Sequence, residues 1–205
     1  MCPTRDNIRF WAVVPAAGVG RRMGGVKQTL PYGRSTMAGT VVRTALDAGV
    51  DGVVVVTRTT LVPALALPDD PRVATRFNDA PESDMIDSIR IGLSSLADRG
   101  PTHGGGQATD GVLVVPADMP TISVDAYRLC MAAFAADPLR IVIATHAGRR
   151  GHPMIFPVSL RGAVMRLRGG LRVLPQRYCG RVQLVETDDP GVTRDIDTAA
   201  DYRDV

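Results

Sequence analysis

The sequence predicts an α/β fold, a three-layer sandwich around a mainly parallel, mixed sheet. Three observations predict it. Apolar runs alternate with stretches of helical periodicity along the chain. Several runs, such as VVVV at 53–56, are apolar without alternation, as expected of strands covered on both faces. A glycine-rich loop directly follows the first of them, and such sheets bind ligands at the carboxyl ends of their strands.

Taken in order, FWAVVPAA (10–17) reads as a buried strand and TMAGTVVRTALDAGV (36–50) as a helix ending at Gly49. DGVVVVTR (51–58) is the second strand, followed by a short helix near 60–66 and a strand in RVATRFN (72–78). In SDMIDSIRIGLSSLADRG (83–100) the spacing sets Met85, Ile89, Leu93 and Leu96 on one helical face, with Ser83 as N-cap and Gly100 as stop. PTHGGGQATD (101–110) reads as a loop and GVLVVPAD (111–118) as another buried strand. A helix over 123–136, a strand at 140–145 and an extended HPMIFP (152–157) come next. Helices across 158–177, a strand VQLVETD (182–188) and a short helix from Thr198 complete the reading. No internal repeat or linker divides the chain, so 1–205 reads as one domain.

Composition excludes several classes. With 45% hydrophobic residues and a mean hydropathy of +0.05, the chain is neither disordered nor membrane-spanning. The net charge of +3 is mildly basic, but no Lys/Arg run exceeds two and aromatic residues make up only 4%. That pattern argues against a nucleic-acid surface, which carries a basic stripe with stacking side chains. Cys2, Cys130 and Cys179 show no C-x-x-C spacing, and His103, His146 and His152 show no ligand spacing. No N-terminal apolar stretch has the length of a signal peptide, so a cytoplasmic protein without a membrane partner is expected.

The loop GVGRRMGGVKQ (18–28) holds the chain's single lysine among 24 Lys and Arg residues. Gly18 and Gly20 allow backbone N–H groups to approach an anion, and Arg22 and Lys27 supply positive charge. A dinucleotide fingerprint fails because its third glycine is Met23 and the second strand ends in Thr57-Arg58 rather than an acid. A P-loop fails because GGVKQT lacks the Gly-Lys-Ser/Thr order. A plain glycine-rich turn with solvated arginines stays open on composition alone.

Four motifs in order carry a resemblance. PAAGVGRRMGGVKQTLPYG (15–33) resembles the A-A-G-x-x-x-R-M-G-x-x-K-x-x-L-P signature of MobA-like nucleotidyltransferases. VLVVPADMPTIS (112–123), GRRGHPMIF (148–156) and DIDTAADY (195–202) resemble that family's later segments. G-H-P with D-I-D-T is similar to its molybdenum cofactor cytidylyltransferase branch. The resemblance implies a Rossmann-like nucleotidyltransferase fold, with a nucleotide-binding part over about 1–120 and an acceptor-binding part over about 121–205. It implies transfer of CMP from CTP (GTP less so) to a phosphate-bearing, molybdopterin-type acceptor, with a molybdoenzyme as a further partner.

Such transfer relies on positioning and charge neutralisation, with Mg²⁺ bridging the phosphates. The resemblance assigns Ala16, Ala17, Gly18, Gly20, Arg22, Lys27, Ser88 and Asp118 to the nucleotide, and Arg22, Lys27 and Asp118 to catalysis. A compact ammonium suits a crowded triphosphate better than a planar guanidinium, which gives a reason for Lys27 to stay a lysine. Mg²⁺ takes one or two carboxylates plus phosphate oxygens, here Asp118 and Asp195. Asp197 is the alternative ligand or, with Thr198, a helix cap, and Asp118 also reads as a turn residue. Arg149, Arg150, Gly151 and His152 would take the acceptor, with solvated charge and a core-edge histidine as the plain reading.

Departures from the pattern stand beside these matches. DMIDS (84–88) places Ile86 and Asp87 where the family has small residues, and a further acid beside a triphosphate is tolerable only if it points away. RGGLRV (168–173) lacks the acid of the branch's G-D-x-G-A-R segment, which leaves the identity of the acceptor open. Two rivals share the loop: an oxidoreductase binding a dinucleotide or flavin, and a non-catalytic molybdenum-cofactor chaperone.

Overall fold

The computed structural model describes residues 8–18, 25–97 and 109–203. Strand β1 (Phe10–Ala16) is buried throughout and leads to a two-stranded ribbon, β2 (Pro31–Tyr32) and β3 (Ser35–Thr36). Helix α1 (Met37–Ala48) starts where the Thr36 hydroxyl accepts the Gly39 N–H, and stops at Gly49, whose φ of 100° is the left-handed conformation a glycine adopts freely. Then come β4 (Gly52–Thr57), β5 (Val73–Phe77), α2 (Met85–Ala97), β6 (Gly111–Val114) and α3 (Val124–Ala136). The hairpin β7 (Ile141–His146) and β8 (Arg149–Pro157) precedes the short α4 (Arg161–Met165) and α5 (Val173–Arg177). Strand β9 (Val182–Glu186) and α6 (Ala199–Arg203) follow.

Seven strands form one sheet in the order β5-β4-β1-β6-β8-β7-β9, with β8 antiparallel to both neighbours and every other pairing parallel. Side-chain alternation divides the core. Phe10, Ala12, Val14 and Ala16 of β1, with Val53 and Val55 of β4, face the layer that contains α1 and α3. Trp11 and Val13, with Val54 and Val56, face the layer that contains α2, α4 and α5. The four consecutive valines are thus explained: each face of β4 takes two of them. The chain moves from β1 to β4 on one side and later to β6 on the other, so the crevice between β1 and β6 is the topological switch point of the sheet.

Helix α2 corrects the expectation at its start. It begins at Met85, and the Ser83 hydroxyl donates to the Ala80 carbonyl (2.9 Å) instead of capping. The Asp87 carboxylate accepts the Asp84 N–H (3.1 Å), the half of a capping box in which a third-position acid reaches back. That shift of register leaves Met85 52% exposed and gives its core place to Ile86. Gly100 and residues 101–108 lie outside the described residues. Strand β6 is shorter than expected, although Val115 and Ala117 N–H groups still reach Val13 and Pro15 carbonyls of β1.

Candidate active site

At the switch point the ends of β1 and β6 lie side by side. Pro15 to Gly18, Pro116 to Asp118, Gln28, and the start of α2 (Ser83, Asp84, Met85 and Ser88) line a cavity of about 120 Å³. Ala16, Ala17, Gly18, Ser88 and Asp118 therefore meet in one cleft, as the motifs implied. Gly20 and Arg22 lie outside the described residues. Ser88 is buried and its hydroxyl accepts from Asn78 Nδ2 (2.9 Å), so its donor and position are set by the end of β5. Asp87 points to Arg90, 2.9 Å away across one helical turn, and does not line the cleft.

Lys27 sits in a 3-10 turn (Lys27–Thr29) and reaches Asp118, with Nζ to carboxylate oxygen at 3.5 Å, and Asp197, to which it is ion-paired. The segment carrying Asp197 is docked by the Ile196 N–H on the Asp118 carbonyl (3.0 Å). Ile196 is fully buried, while Asp195 is exposed and Asp197 half-buried on either side of it. Helix α6 is capped by Thr198, whose hydroxyl accepts the Asp201 N–H, so the Asp197 side chain is not needed as the cap. Burial pushes the Asp118 carboxyl above its ordinary pKa; Lys27 opposes the shift, and the Asp197 and Asp195 charges add to it.

The acceptor-side expectations divide. His152 Nδ1 donates to the Val114 carbonyl (3.0 Å), which leaves Nε2 as the ring's free position. Burial lowers the imidazole pKa, while that hydrogen bond and the Asp195 charge oppose the shift. His152 lines a second cavity of about 400 Å³ with Ile86, Ile89, Met154, Leu171 and Arg172, and this cavity shares Asp84 and Met85 with the first. Arg149 and Arg150 are exposed at the β7–β8 hairpin and line neither cavity. At Gly151 an added Cβ would lie 1.7 Å from the Val192 carbonyl oxygen, so packing alone requires glycine there.

Sequence reasoning missed three residues. Gln28 is buried and its Nε2 donates to the Ala16 (2.7 Å) and Gly18 (2.8 Å) carbonyls; its place beside Lys27 inside the motif was the available signal. Asn78 holds Ser88, and a buried amide at a strand end gives no sequence signal. Arg172 enters the second cavity from a segment noticed only for the acid it lacks.

A family model described as the MobA-like NTP transferase domain matches residues 12–182. The chain belongs to that family. Among curated relatives, this MobA-like chain is 28% identical over 190 residues to the purine catabolism protein PucB of Bacillus subtilis (strain 168), covering 91% of each. It is 29% identical over 200 residues to nicotine blue oxidoreductase of Paenarthrobacter nicotinovorans, again covering 91% of each. Among solved structures it is similar to Rv0371c from Mycobacterium tuberculosis H37Rv, with a TM-score of 0.77, 25% identity and 96% of each chain covered. A structure of Rv0371c in complex with manganese superposes with a TM-score of 0.70 at 26% identity, covering 96% of this chain and 97% of that one. A 4-diphosphocytidyl-2C-methyl-D-erythritol synthase shares the fold, with a TM-score of 0.70, 16% identity and coverage of 96% and 97%. The protein is a nucleotidyltransferase of the MobA-like family, on a seven-stranded mixed α/β sheet. No helix among the described residues is long and apolar enough to cross a membrane.

Proposed function

We propose that the protein transfers CMP from CTP, with a divalent metal ion, to a phosphate-bearing acceptor of the molybdopterin type. The observation that carries this reading is that Lys27 joins Asp197 to Asp118, which lines the Ala16–Gly18 cleft. The Asp197 and Asp195 charges both act on Asp118, and among the described residues Lys27 opposes them. Carboxylates gathered in this way suit a divalent cation. Mg²⁺ is held by one or two carboxylates together with substrate phosphates, and the related Rv0371c has been solved with manganese.

In this reading Asp118 and Asp195 hold the metal, which supplies charge neutralisation at the phosphates when bound. Asp197 aims Lys27, whose ammonium meets the charge that develops as pyrophosphate leaves. By the resemblance, the A-A-G run at Ala16, Ala17 and Gly18 goes with cytidine nucleotides where A-G-G goes with guanosine; the cavity at His152 and Arg172 takes the acceptor, and Arg149 and Arg150 are assigned to it by the same resemblance. The oxidoreductase reading has the relative of that name in its favour, but β4 ends in Thr57 with Arg58 next, and no acid stands there to receive the ribose 2′-OH of a dinucleotide. A thermal-shift panel separates the readings. CTP with Mg²⁺ at about 100 times its Kd is expected to stabilise the fold by about 2.7 kcal/mol, and more than GTP does. Equal shifts remove the Ala17 argument, a shift with NAD(P)H alone turns the case to the oxidoreductase, and CTP binding without pyrophosphate release leaves the chaperone.

A further inference from the structure

The cleft has two walls that are distant in sequence, the loop after β1 and the turn leading into α2. One side chain outside the cleft touches both. Arg58, at the end of β4, donates from Nε to the Ala17 carbonyl (3.0 Å). Its two terminal nitrogens donate to the Asp79 (3.4 Å) and Ala80 (3.3 Å) carbonyls. The turn it grips is also anchored beside it, because the Asp79 carboxylate accepts the Thr59 N–H (2.8 Å) and hydroxyl (2.6 Å).

We propose that Arg58 is a positioning residue that fixes the distance between the two walls of the nucleotide slot and thereby selects which base fits. The proposal rests on the reading of this cleft as the nucleotide site. Three carbonyls in a row on the β1 side are committed to side-chain donors. Ala16 takes Gln28 and the Thr57 hydroxyl (3.1 Å), Ala17 takes Arg58, and Gly18 takes Gln28. Each of these carbonyls is thereby held by at least one side-chain donor. Gln28 braces the loop against itself; Arg58 alone among these donors also reaches the opposite wall. A planar fork carries its donors on separated nitrogens and so reaches carbonyls that stand apart on two chain segments, whereas a lysine's three donors all radiate from one nitrogen. The wall it grips leads through Ser83 and Asp84 to Ser88, so a change in its position alters the width of the slot at the base and ribose.

The test uses the full chain with Arg58→Lys and Arg58→Met, the second keeping aliphatic bulk without donors. Calorimetric titration of each with CTP and GTP in the presence of Mg²⁺ is paired with amide hydrogen exchange and melting of the free protein. Expected are an approximately tenfold weaker Kd for CTP, the loss of a charge-assisted hydrogen bond, and a smaller CTP-to-GTP ratio. Exchange at Gly18 and across 79–84 rises, while Tm stays close to wild type because Arg58 is half-exposed. Unchanged exchange in both variants overturns the proposal. A lowered Tm with equal loss for both nucleotides also overturns it, since that is a packing role. If the wild type binds neither nucleotide, the reading of the cleft falls and base selection with it, and the exchange arm still decides whether Arg58 ties the walls.

Discussion

The two halves of the site are built differently. On the proposed nucleotide side the cleft is held by buried or half-buried polar side chains: Gln28, Thr57, Arg58 and Asn78 each donate to a named oxygen of the cleft or its support. On the proposed acceptor side the cavity is walled mainly by Ile86, Ile89, Met154 and Leu171, with His152 and Arg172 as polar points. Hydrogen bonds have direction and set positions of atoms closely, as phosphate chemistry requires. Apolar walls set volume and shape and tolerate substitution of similar size. The lesson is that the first half is suited to one fixed triphosphate geometry, whereas the second can change occupant without rebuilding the fold.

The largest effect should come from Asp118→Asn, which removes charge and keeps shape. Pyrophosphate release from CTP is expected to fall by about 10²–10³-fold, the loss seen when one preorganised electrostatic group is removed, with the fold intact by circular dichroism. Full activity would break the division at its centre. The same variant has a stability signature. Asp118 has a raised folded pKa, so the folded state holds the proton more tightly than the unfolded chain, and stability declines as pH rises from the ordinary carboxylate pKa through the folded one. Without metal, Asp118→Asn should therefore melt above wild type at neutral pH, and the difference should vanish as pH falls through that window. A difference of opposite sign would mean that Lys27 outweighs burial.

Lys27→Arg comes next. It keeps the charge but brings a planar fork between Asp118 and Asp197, and a misplacement near 1 Å costs on the order of 100-fold in turnover. Wild-type rates in this variant would make the lone lysine an accident of composition. Gly151→Ala tests the other half and should act on the fold. Its Cβ collides with the Val192 backbone, and overpacking of this kind costs about 1–3 kcal/mol, read as a lowered denaturation midpoint without change in CTP affinity. An unchanged midpoint would return Gly151 to acceptor binding. The smallest effect belongs to Arg149→Gln with Arg150→Gln, within about 0.5 kcal/mol in stability because both are exposed. These substitutions should raise KM for the acceptor alone; a change in KM for CTP would erase the boundary between the halves.

The sequence by itself determined the α/β class and the buried strands, and it singled out some of the residues that line the cleft. Unbroken apolar runs bounded by turn residues, such as 53–56, are expected of strands covered on both faces. Residues joined by one strand–loop segment, such as Ala16, Ala17 and Gly18, must share a place in space. Legibility ended where partners are far apart along the chain. That Asp197 pairs with Lys27 across 170 positions, that Arg58 ties residue 17 to residues 79–80, and that β8 runs antiparallel were decided only by the tertiary structure. The start of α2 shows the same limit at short range. Ser83 reads as the cap from sequence, yet the helix begins at Met85 with Ile86 buried, and the Asp87 carboxylate accepts the Asp84 N–H in its first turn. Local propensity depends on near neighbours, whereas the site is made of contacts whose geometry exists only after the sheet has brought its strand ends together.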